Sequence, residues 1–400
     1  MTGPRFVVVG IGADGWDGLT AAAQDALSGA ETIYGSARQL GLIAGRVGAE
    51  LQPWRSPMSG HLADLLAQPP AVGTVHLLAS GDPMFHGLGA SLIRRVGAER
   101  VSVLPAPSSA SLAAARLGWD LAQTTVVSLV TAATETLLTE LTDGARLLVL
   151  SKDGTGPGQI ADLLRRHGFG GSTLTVLAGL GGPAESRTGG PADDYRDPSA
   201  PTPNIVAIEA HGPRCGRAPG RPDTEYASDG QLTKAQIRAL TVCALAPAEG
   251  GLLWDVGAGS GSIGIEWLRL TRTGRAVAFE ADPVRAERIA GNAAAHGVGD
   301  RLTVAGAAPD GFADAPAPDT VFIGGGLTAA VLDRCWTALG SGGRLVANAV
   351  TLQSQQLLAQ AHHSHGGRLT RIALEHAAPL GGMTTWRPVL PIVQWEADTP

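Results

Sequence analysis

The sequence predicts an α/β protein of two domains: an N-terminal domain with two lobes, and a C-terminal domain whose doubly wound sheet ends in antiparallel strands. Short apolar runs alternate with segments of helical periodicity along most of the 400 residues. Residues 211–227 interrupt this alternation and are rich in glycine, proline and charged residues. The length is also sufficient for two hydrophobic cores. We therefore expect domains at residues 1–210 and 228–400, joined by a linker at residues 211–227.

The composition argues against several classes of protein. The formal net charge is −6, so no overall positive field would attract nucleic acid. No apolar run reaches the roughly 18 residues of a membrane-spanning helix, and the first residues read as a strand rather than a secretory leader. The three cysteines, Cys215, Cys243 and Cys335, fit neither a disulfide framework nor a zinc pattern, and the histidines of HHSHGG (362–367) lack ligand spacing. We expect a cytoplasmic protein with no metal, nucleic-acid or membrane partner.

Buried strands and amphipathic helices alternate in the N-terminal domain. The predicted strands are FVVVG, TVHLLAS, VSVLPA, TTVVSLV, RLLVL, LTVLAGL and NIVAIEA. The predicted helices are LTAAAQDALSGA, GLGASLIRRVGA, SSASLAAARLG and GQIADLLRRHG. The stretch SVLPAPSS (102–109) lies near the middle and is the expected division between two lobes.

The C-terminal domain has a clearer pattern, beginning with a helix in LTKAQIRALTVCALAP, for which Thr233 is a possible cap. The predicted strands are GLLWDVG, RAVAFEA, RLTVAGA, DTVFIGG and GRLVANAV. The helices between them are SIGIEWLRL, PVRAERIAGNAAAHG and TAAVLDRCWTALG. The stretches TRIALEHA (370–377) and RPVLPIVQW (387–395) predict a final strand pair without a crossover helix between them.

A glycine-rich turn follows the first strand of the C-terminal domain, in DVGAGSGSIG (255–264). Dehydrogenases that bind NAD and methyltransferases that bind S-adenosylmethionine (SAM) both place such a turn here, because a sharp bend beside a ligand tolerates no Cβ. Asp255 precedes the glycines, and a carboxylate suits the cationic amino-acid end of SAM better than the doubly negative NAD pyrophosphate. Glu280 ends the next strand, where it could bind the ribose of either ligand. The motif resembles motif I of the class I methyltransferases, whose fold is Rossmann-like.

Three stretches of the N-terminal domain together indicate a second ligand site: GIGADG (10–15), SGDP (80–83) and PAPSS (105–109). Taken singly, Asp82 could be only a turn-forming residue and Ser108 only a helix N-cap. In this order the stretches resemble the tetrapyrrole methylase family, in which they surround SAM between two lobes. The residues that the resemblance implicates are Gly10, Gly12, Gly81, Asp82, Pro83, Ser108 and Ser109.

The pairing of these two halves resembles the bifunctional precorrin-6Y methyltransferase family of cobalamin biosynthesis. The resemblance implies methylation at C-5 by the N-terminal half, and methylation at C-15 with loss of carbon dioxide from the ring C acetate by the C-terminal half. It also implies two SAM sites per chain, an anionic precorrin substrate and a homo-oligomer. The C-terminal SAM residues are then Thr233, Asp255, Gly257, Ala258, Gly259, Ser260, Gly261, Glu280 and Ala307. Gln353 departs from the family pattern, where a glutamate is expected.

The substrate of such an enzyme carries several carboxylates, so arginines should line its clefts. The candidates are Arg269, Arg272, Arg344 and Arg387, with Asn348 and the glycines Gly324, Gly325 and Gly326 that follow a strand. For any single one of these arginines, a solvated charge at a helix or strand end is the favoured alternative. No catalytic acid or base stands out. Two other functions remain open: an NAD-dependent oxidoreductase with two dinucleotide folds, and a non-enzymatic tetrapyrrole carrier.

Overall fold

The computed structural model describes residues 5–68 and 73–400. The described residues group into two compact units, one within Met1–Ala132 and Glu140–Arg214, and the other comprising Ala133–Thr139 and Cys215–Pro400. Most of the expected linker therefore groups with the second unit. Its residue Tyr226 is only 5% exposed and donates a hydrogen bond from its hydroxyl to the Glu266 carboxylate at 3.0 Å. This buried contact explains why the segment packs although its sequence has no periodicity.

The first lobe of the first unit is a five-stranded parallel sheet with strand order β3-β2-β4-β1-β5. Its strands are β1 (Arg5–Ile11), β2 (Thr32–Gly35), β3 (Glu50–Pro53), β4 (Thr74–Ser80) and β5 (Val101–Leu104). Its helices are α1 (Ala21–Ser28), α2 (Ala37–Gly41), α3 (Met58–Ala67) and α4 (Leu88–Val96). Apolar side chains are buried on both faces of this sheet, as in other parallel sheets with helices on both sides.

The second lobe contains a mixed five-stranded sheet with strand order β6-β7-β10-β8-β9, in which only β6 and β7 are parallel. Its strands are β6 (Thr125–Ser128), β7 (Arg146–Leu150), β8 (Thr173–Ala178), β9 (Ser186–Pro191) and β10 (Asn204–Glu209). Its helices are α5 (Ser109–Leu117) and α6 (Gly156–Arg166). The chain passes from the first sheet to the second after β5, so the expected division at SVLPAPSS is confirmed.

The second unit is a seven-stranded sheet with order β13-β12-β11-β14-β15-β19-β16, of which the first five strands are parallel and β19 is antiparallel to both neighbours. Its strands are β11 (Leu252–Val256), β12 (Arg275–Phe279), β13 (Leu302–Ala305), β14 (Thr320–Ile323), β15 (Arg344–Ala349), β16 (Arg368–Ile372) and β19 (Ile392–Asp398), and a separate hairpin joins β17 (Glu375–Leu380) to β18 (Met383–Pro388). The helices are α7 (Ala235–Leu245), α8 (Ser262–Leu270), α9 (Pro283–Ala295), α10 (Ala329–Ala338) and α11 (Leu352–His365). The predicted doubly wound sheet with antiparallel terminal strands is confirmed.

Several elements differ from the sequence prediction. The end of the chain contains four strands where the sequence predicted two. Strands β16 and β19 pair with each other, and the β17–β18 hairpin is inserted between them in the sequence. Each predicted stretch covers parts of two of these strands. Helix α11 was not expected, since most of its residues are polar and only Leu358 and Ala361 are buried. Lys234, rather than Thr233, is the N-cap of α7, and no side chain caps that helix. Among the described residues, no helix is long and apolar enough to cross a membrane.

Candidate functional sites in the two units

The turns that follow β1, β4 and β5 meet at the carboxyl edge of the first sheet. Gly10 makes this possible, because a Cβ there would lie 2.2 Å from the Gly81 carbonyl oxygen and 2.7 Å from the Ala106 nitrogen. Gly81 has a φ of +61°, a left-handed conformation that favours glycine. The three stretches singled out in the sequence are therefore brought together by backbone packing. Gly10 serves this packing rather than leaving room for a ligand.

A cleft opens beside these turns, between the two lobes of the first unit. Its lining residues are Gly12, Ser80, Gly81, Pro107, Ser109, Leu112, Leu177, Leu180, Pro203, Asn204 and Ile205. The sequence-predicted Gly12, Gly81 and Ser109 thus line one cleft. Asp82 and Ser108 have local roles: the Asp82 carboxylate accepts the Met84 N–H at 2.8 Å, and Ser108 caps α5 by accepting the Ser111 N–H at 3.1 Å. Pro83 is buried against glycines of the following turn.

Sequence reasoning missed the half of this cleft that the second lobe supplies. Asn204, which opens β10, is 8% exposed, and its Nδ2 donates to the Pro201 carbonyl at 2.9 Å. Its Oδ1 is buried and has no hydrogen-bond partner. An amide flip would place the oxygen against that carbonyl, so the hydrogen bond fixes Oδ1 as the unpartnered atom. Buried acceptors without partners are rare, and the residue that carries this one lines the cleft. No sequence motif distinguishes Asn204.

The glycine-rich turn of the second unit connects β11 to α8, and each glycine in it has a different role. Gly257, Gly259 and Gly261 have φ values of +69°, +60° and +76°, so all three adopt the left-handed conformation. A Cβ on Gly257 would lie 2.5 Å from the Gly325 carbonyl oxygen, and one on Gly261 would lie 2.8 Å from Ile289. A Cβ on Gly259 would meet only the Gln231 carbonyl oxygen, at 3.8 Å. Gly259 is therefore the glycine of the turn that leaves open space for a ligand.

Two carboxylates are positioned at this turn by backbone N–H groups. Asp255, at 1% exposure, accepts the Gly264 N–H at 2.9 Å through Oδ2, and its Oδ1 is buried without a partner. Burial raises the pKa of Asp255 to about 7, the nearby Glu280 charge adds to this, and the Gly264 N–H opposes it. Glu280 accepts the Gly259 N–H at 2.8 Å and the Asp282 N–H at 3.0 Å, one on each oxygen.

A buried ion pair fixes the segment that lies next to Gly259. Arg238 is fully buried, and its Nε lies 2.6 Å from an oxygen of Glu266, which is 1% exposed. Arg238 also donates through Nη1 to the Thr233 carbonyl oxygen. The pair therefore holds the backbone of residues 231–234, whose Gln231 oxygen faces Gly259. Ala307, also expected at this site, is exposed in the loop after β13, and its carbonyl accepts the Gly311 N–H at 2.8 Å.

Three of the four candidate arginines lie away from the carboxyl edge of the sheet. Arg269, near the far end of α8, is 5% exposed and donates to the His296 carbonyl at 2.9 Å. Arg344 begins β15 and contacts Asp398 through two hydrogen bonds of 2.7 and 2.9 Å. Arg272 precedes β12, and its N–H donates to Glu249. Because the glycine turns follow the carboxyl ends of the strands, the structure does not place these arginines in the crevice where the sequence reasoning expected them.

The remaining substrate candidates of the second unit differ in whether they are free to contact a ligand. Asn348 uses both ends of its amide internally, donating to Thr241 at 2.9 Å and accepting from Gln394 at 2.9 Å. Gly325 packs against Gly257, whereas Gly326 has a φ of +65° and open space around it. Gly324 is exposed but approaches the ring of Phe322 too closely for a Cβ.

The β17–β18 hairpin extends from the carboxyl edge of the same sheet, because it joins the end of β16 to the start of β19. Arg387 lies on it, exposed, and donates to the Pro379 carbonyl at 3.3 Å. The hairpin and the connection that follows it expose four large apolar side chains: Leu380, Met383, Trp386 and Leu390. The described residues contain no group of three or more His, Cys, Asp or Glu side chains arranged to hold a metal ion.

Comparison with known proteins gives two family matches and several long alignments. Residues 5–194 match the model of the tetrapyrrole (corrin/porphyrin) methylases, and residues 224–399 match that of the precorrin methyltransferase domain. The chain is 44% identical to the precorrin-6Y C(5,15)-methyltransferase [decarboxylating] of Sinorhizobium sp over 400 residues, covering 99% of this chain and 96% of that protein. It is 46% identical to the Mycobacterium tuberculosis protein of that name over 392 residues, covering 98% of each.

A solved structure also matches the chain over part of its length. It is the C-terminal domain of precorrin-6Y C5,15-methyltransferase from Rhodobacter capsulatus, with 47% sequence identity and a TM-score of 0.45. The match covers 46% of this chain and 100% of that one.

Proposed function

The chain belongs to the precorrin-6Y C(5,15)-methyltransferase (decarboxylating) family, and on that premise we propose that each of its units binds one SAM and performs one of the two methylations. The first unit methylates C-5 of the macrocycle. The second unit methylates C-15 and removes the carboxylate of the ring C acetate. The observation that carries the proposal is that each unit has its own glycine-lined site beside a buried acceptor atom without a partner, Asn204 Oδ1 in one and Asp255 Oδ1 in the other.

The residues of the second unit fit SAM. The ligand supplies a methyl group that its sulfonium already activates, so the protein must mainly hold and orient it. Gly259 leaves room for it, and Glu280, with one backbone N–H on each oxygen, keeps a lone pair on each for the ribose hydroxyls. The unpartnered Asp255 Oδ1 suits the ammonium of the amino-acid end. Ala258, Ser260, Gly261 and Ala307 complete this proposed site, and the Thr233 segment lies beside it.

The cleft of the first unit also fits SAM, with a different division of polar and apolar contacts. Leu112, Leu177, Leu180 and Ile205 give it an apolar side that suits an adenine ring. Asn204 Oδ1 needs a donor, and the exocyclic amino group of adenine is one. The opposite side, formed by the turns after β1, β4 and β5, presents backbone groups and hydroxyls to the polar part of the ligand.

Decarboxylation in the second unit needs no acid or base from the protein. Methyl transfer to an enamine-like carbon of the macrocycle leaves an iminium, which accepts the electron pair of the C–C bond as the acetate carboxylate departs as carbon dioxide. In this route the two carboxylates at the glycine turn, Asp255 and Glu280, bind the ammonium and ribose of SAM and take no part in proton transfer. Of the candidate substrate residues, we retain Gly326 and Arg387, because they lie at the carboxyl edge of the sheet.

We propose that the chain forms a homo-oligomer in which a second copy covers the exposed apolar residues of the hairpin. Trp386 and Met383 are 68% and 75% exposed, and exposed large apolar side chains on one hairpin are typical of a protein–protein contact. Trp386→Glu should shift the mass measured by light scattering toward that of a single chain of 40.7 kDa. An unchanged mass would exclude the hairpin as the contact.

The proposal of two SAM sites is tested by calorimetric titration of S-adenosylhomocysteine into the full-length chain and two variants. Gly10→Ala places a methyl group against the Gly81 backbone, and Gly257→Ala places one against the Gly325 backbone. We expect two S-adenosylhomocysteine sites in the unaltered chain, one site in each single variant and none in the double variant. Gly342→Ala, whose added Cβ meets nothing within 4 Å, is the matched control and should keep both sites.

Transfer of labelled methyl groups to precorrin-6Y then assigns the reactions. Gly10→Ala should lose the methyl group at C-5, whereas Gly257→Ala should lose the methyl group at C-15 together with release of carbon dioxide. A single ligand site in the unaltered chain would overturn the two-site proposal. The reverse pairing of variant and position would overturn the assignment of reactions to units, and binding of NAD instead would favour the oxidoreductase alternative.

A further inference from the structure

The carboxyl edge of the first sheet carries an arginine that has no assigned role. Arg38 lies in α2, three residues after β2 ends, and its Nη2 donates to the Ser80 hydroxyl at 2.8 Å. Ser80 ends β4 and lines the cleft of the first unit. The guanidinium of Arg38 is therefore held next to the cleft by a neutral group, and no other hydrogen bond to it comes from the residues that the structure describes.

The backbone around Arg38 is fixed before any ligand arrives. Ser36 and Gln39 form a capping box, in which Gln39 Oε1 accepts the Ser36 N–H at 2.8 Å and Ser36 Oγ accepts the Gln39 N–H. Gln39 Nε2 also donates to Ser80 Oγ at 3.0 Å. Because Ser80 Oγ accepts from both Arg38 and Gln39, its own hydrogen remains free to donate. The planar guanidinium of Arg38 is therefore oriented beside a hydroxyl donor before a ligand binds.

Arg38 differs from other arginines of the same unit in its partners. Arg46, Arg55 and Arg116 each form an ion pair with a carboxylate, at 3.2, 2.8 and 2.6 Å. Arg38 has no ion pair among the described residues, and its side chain is exposed beside the cleft. A bound carboxylate could therefore reach the Arg38 guanidinium and pair with it without displacing a carboxylate of the protein.

We propose that Arg38 binds a carboxylate side chain of the tetrapyrrole at the site of the first unit, with the Ser80 hydroxyl as a second donor. This inference rests on the proposed function, because it takes the tetrapyrrole to be the substrate of that unit. It gives the first unit a substrate arginine of its own, since the arginines that the sequence favoured all belong to the second unit, where Arg387 is retained. The role is one of binding and orientation, with no proton transfer.

The test uses the full-length chain, precorrin-6Y prepared enzymatically, and SAM with a carbon-13 methyl group, so that NMR separates the products methylated at C-5 and C-15. Arg38→Gln should raise KM for methylation at C-5 about 10- to 100-fold, the range for loss of a charged hydrogen bond, and should change kcat less. Arg38→Lys should give an intermediate KM, because it keeps the charge but loses the planar fork. Methylation at C-15 should keep its rate.

Two controls make the result specific. Arg46→Gln removes an arginine that is already paired with Asp17 and should leave both reactions unchanged. Calorimetry with S-adenosylhomocysteine should give Arg38→Gln the same number of sites as the unaltered chain. An unchanged KM in Arg38→Gln, or loss of a nucleotide site in that variant, would overturn the inference, since the second result would make Arg38 a support of the Ser80 turn. A higher KM at C-15 alone would keep Arg38 as a carboxylate ligand and overturn the assignment of reactions to units.

Discussion

The Arg238 guanidinium and the Glu266 carboxylate form an ion pair in which both side chains are buried, at 0% and 1% exposure. The carboxylate also accepts the N–H groups of Gly220 and Arg221 and the hydroxyl of Tyr226. One buried acid thereby connects the segment before α7 to α8, the helix that begins at the glycine turn. The position of the proposed SAM site thus depends on contacts between residues far apart in the chain.

Removal of one partner of this pair should strongly destabilise the second unit. Glu266→Gln leaves the buried Arg238 charge with only the partly exposed Asp223 carboxylate, at 3.2 Å, as a counter-ion. We therefore expect a loss of about 3 kcal/mol in the free energy of unfolding, the lower end of the range for breaking a buried pair. Hydrogen exchange of the β11 and α8 amides in the full chain measures it. The control, Asp398→Asn, breaks the exposed pair with Arg344 and should cost about 1 kcal/mol or less. Equal losses in the two variants would contradict the prediction.

Gly259→Ala should weaken ligand binding more than it weakens the fold. The left-handed φ of +60° makes alanine unfavourable by about 1–2 kcal/mol, but the added methyl meets no close atom of the protein. If SAM occupies that space, the affinity for S-adenosylhomocysteine in the second unit should fall at least about tenfold, or about 1.4 kcal/mol. Gly342→Ala carries the same backbone strain at φ +74° on the opposite edge of the sheet. Gly342→Ala should lower the free energy of unfolding by a similar amount and leave the affinity for S-adenosylhomocysteine unchanged.

The stability of the second unit should carry a pH dependence that originates in Asp255. Its folded-state pKa of about 7 lies above the unfolded value of about 3.9, so the folded protein holds the proton more tightly. The stabilisation of the folded state by this proton is fully present below about pH 4. It is lost as the pH rises to about 7, and the loss is at most about 1.4 kcal/mol per pH unit. Denaturation of Asp255→Asn across this range should therefore show a flatter decline than the unaltered chain. Parallel pH profiles would refute this origin.

His296 should act with the opposite sign. It is 5% exposed, its Nε2 lies 3.1 Å from the Glu225 carbonyl oxygen, and burial lowers its pKa to about 4. Since the unfolded value is about 6.5, this stability is present above pH 6.5 and is lost as the pH falls to about 4. His296→Gln, which can still donate to that carbonyl, should remove this acid sensitivity, measured by urea denaturation at pH 4–7. His363→Gln, on the exposed end of α11, is the control and should leave the pH profile unchanged.

Local features of the sites followed from the sequence because neighbouring residues produce them. Ser108 is the N-cap of α5, and Asp82 forms a turn by accepting the Met84 N–H. The predicted glycine turn of the second unit has three left-handed glycines, with Asp255 and Glu280 beside it. In each case the partners lie within a few residues of each other or at the ends of adjacent strands, so a motif of fixed spacing records them.

Contacts between distant segments were not recoverable in this way. Asn204 reaches the cleft of the first unit because β10 lies between β7 and β8, an order that follows neither chain sequence nor hydrophobic pattern. Arg38 meets Ser80 across 42 residues of sequence. The arginines chosen from the sequence show the same limit. Only the direction of the strands shows that Arg344 and Arg269 lie at the edge of the sheet opposite the glycine turn.

The fold class, the two glycine-rich turns and the family could all be predicted from the amino-acid sequence, because hydrophobic periodicity and short motifs are properties of local chain segments. The three-dimensional fold was needed to distinguish a glycine that makes room for a ligand, Gly259, from one that makes room for the protein's own backbone, Gly257. The fold also determines which charged groups are buried in pairs, as Arg238 is, and which have no counter-ion within residues 5–68 and 73–400, as Arg38 does. Burial and electrostatic environment depend on the surrounding atoms in space, and those come from segments that the sequence keeps far apart.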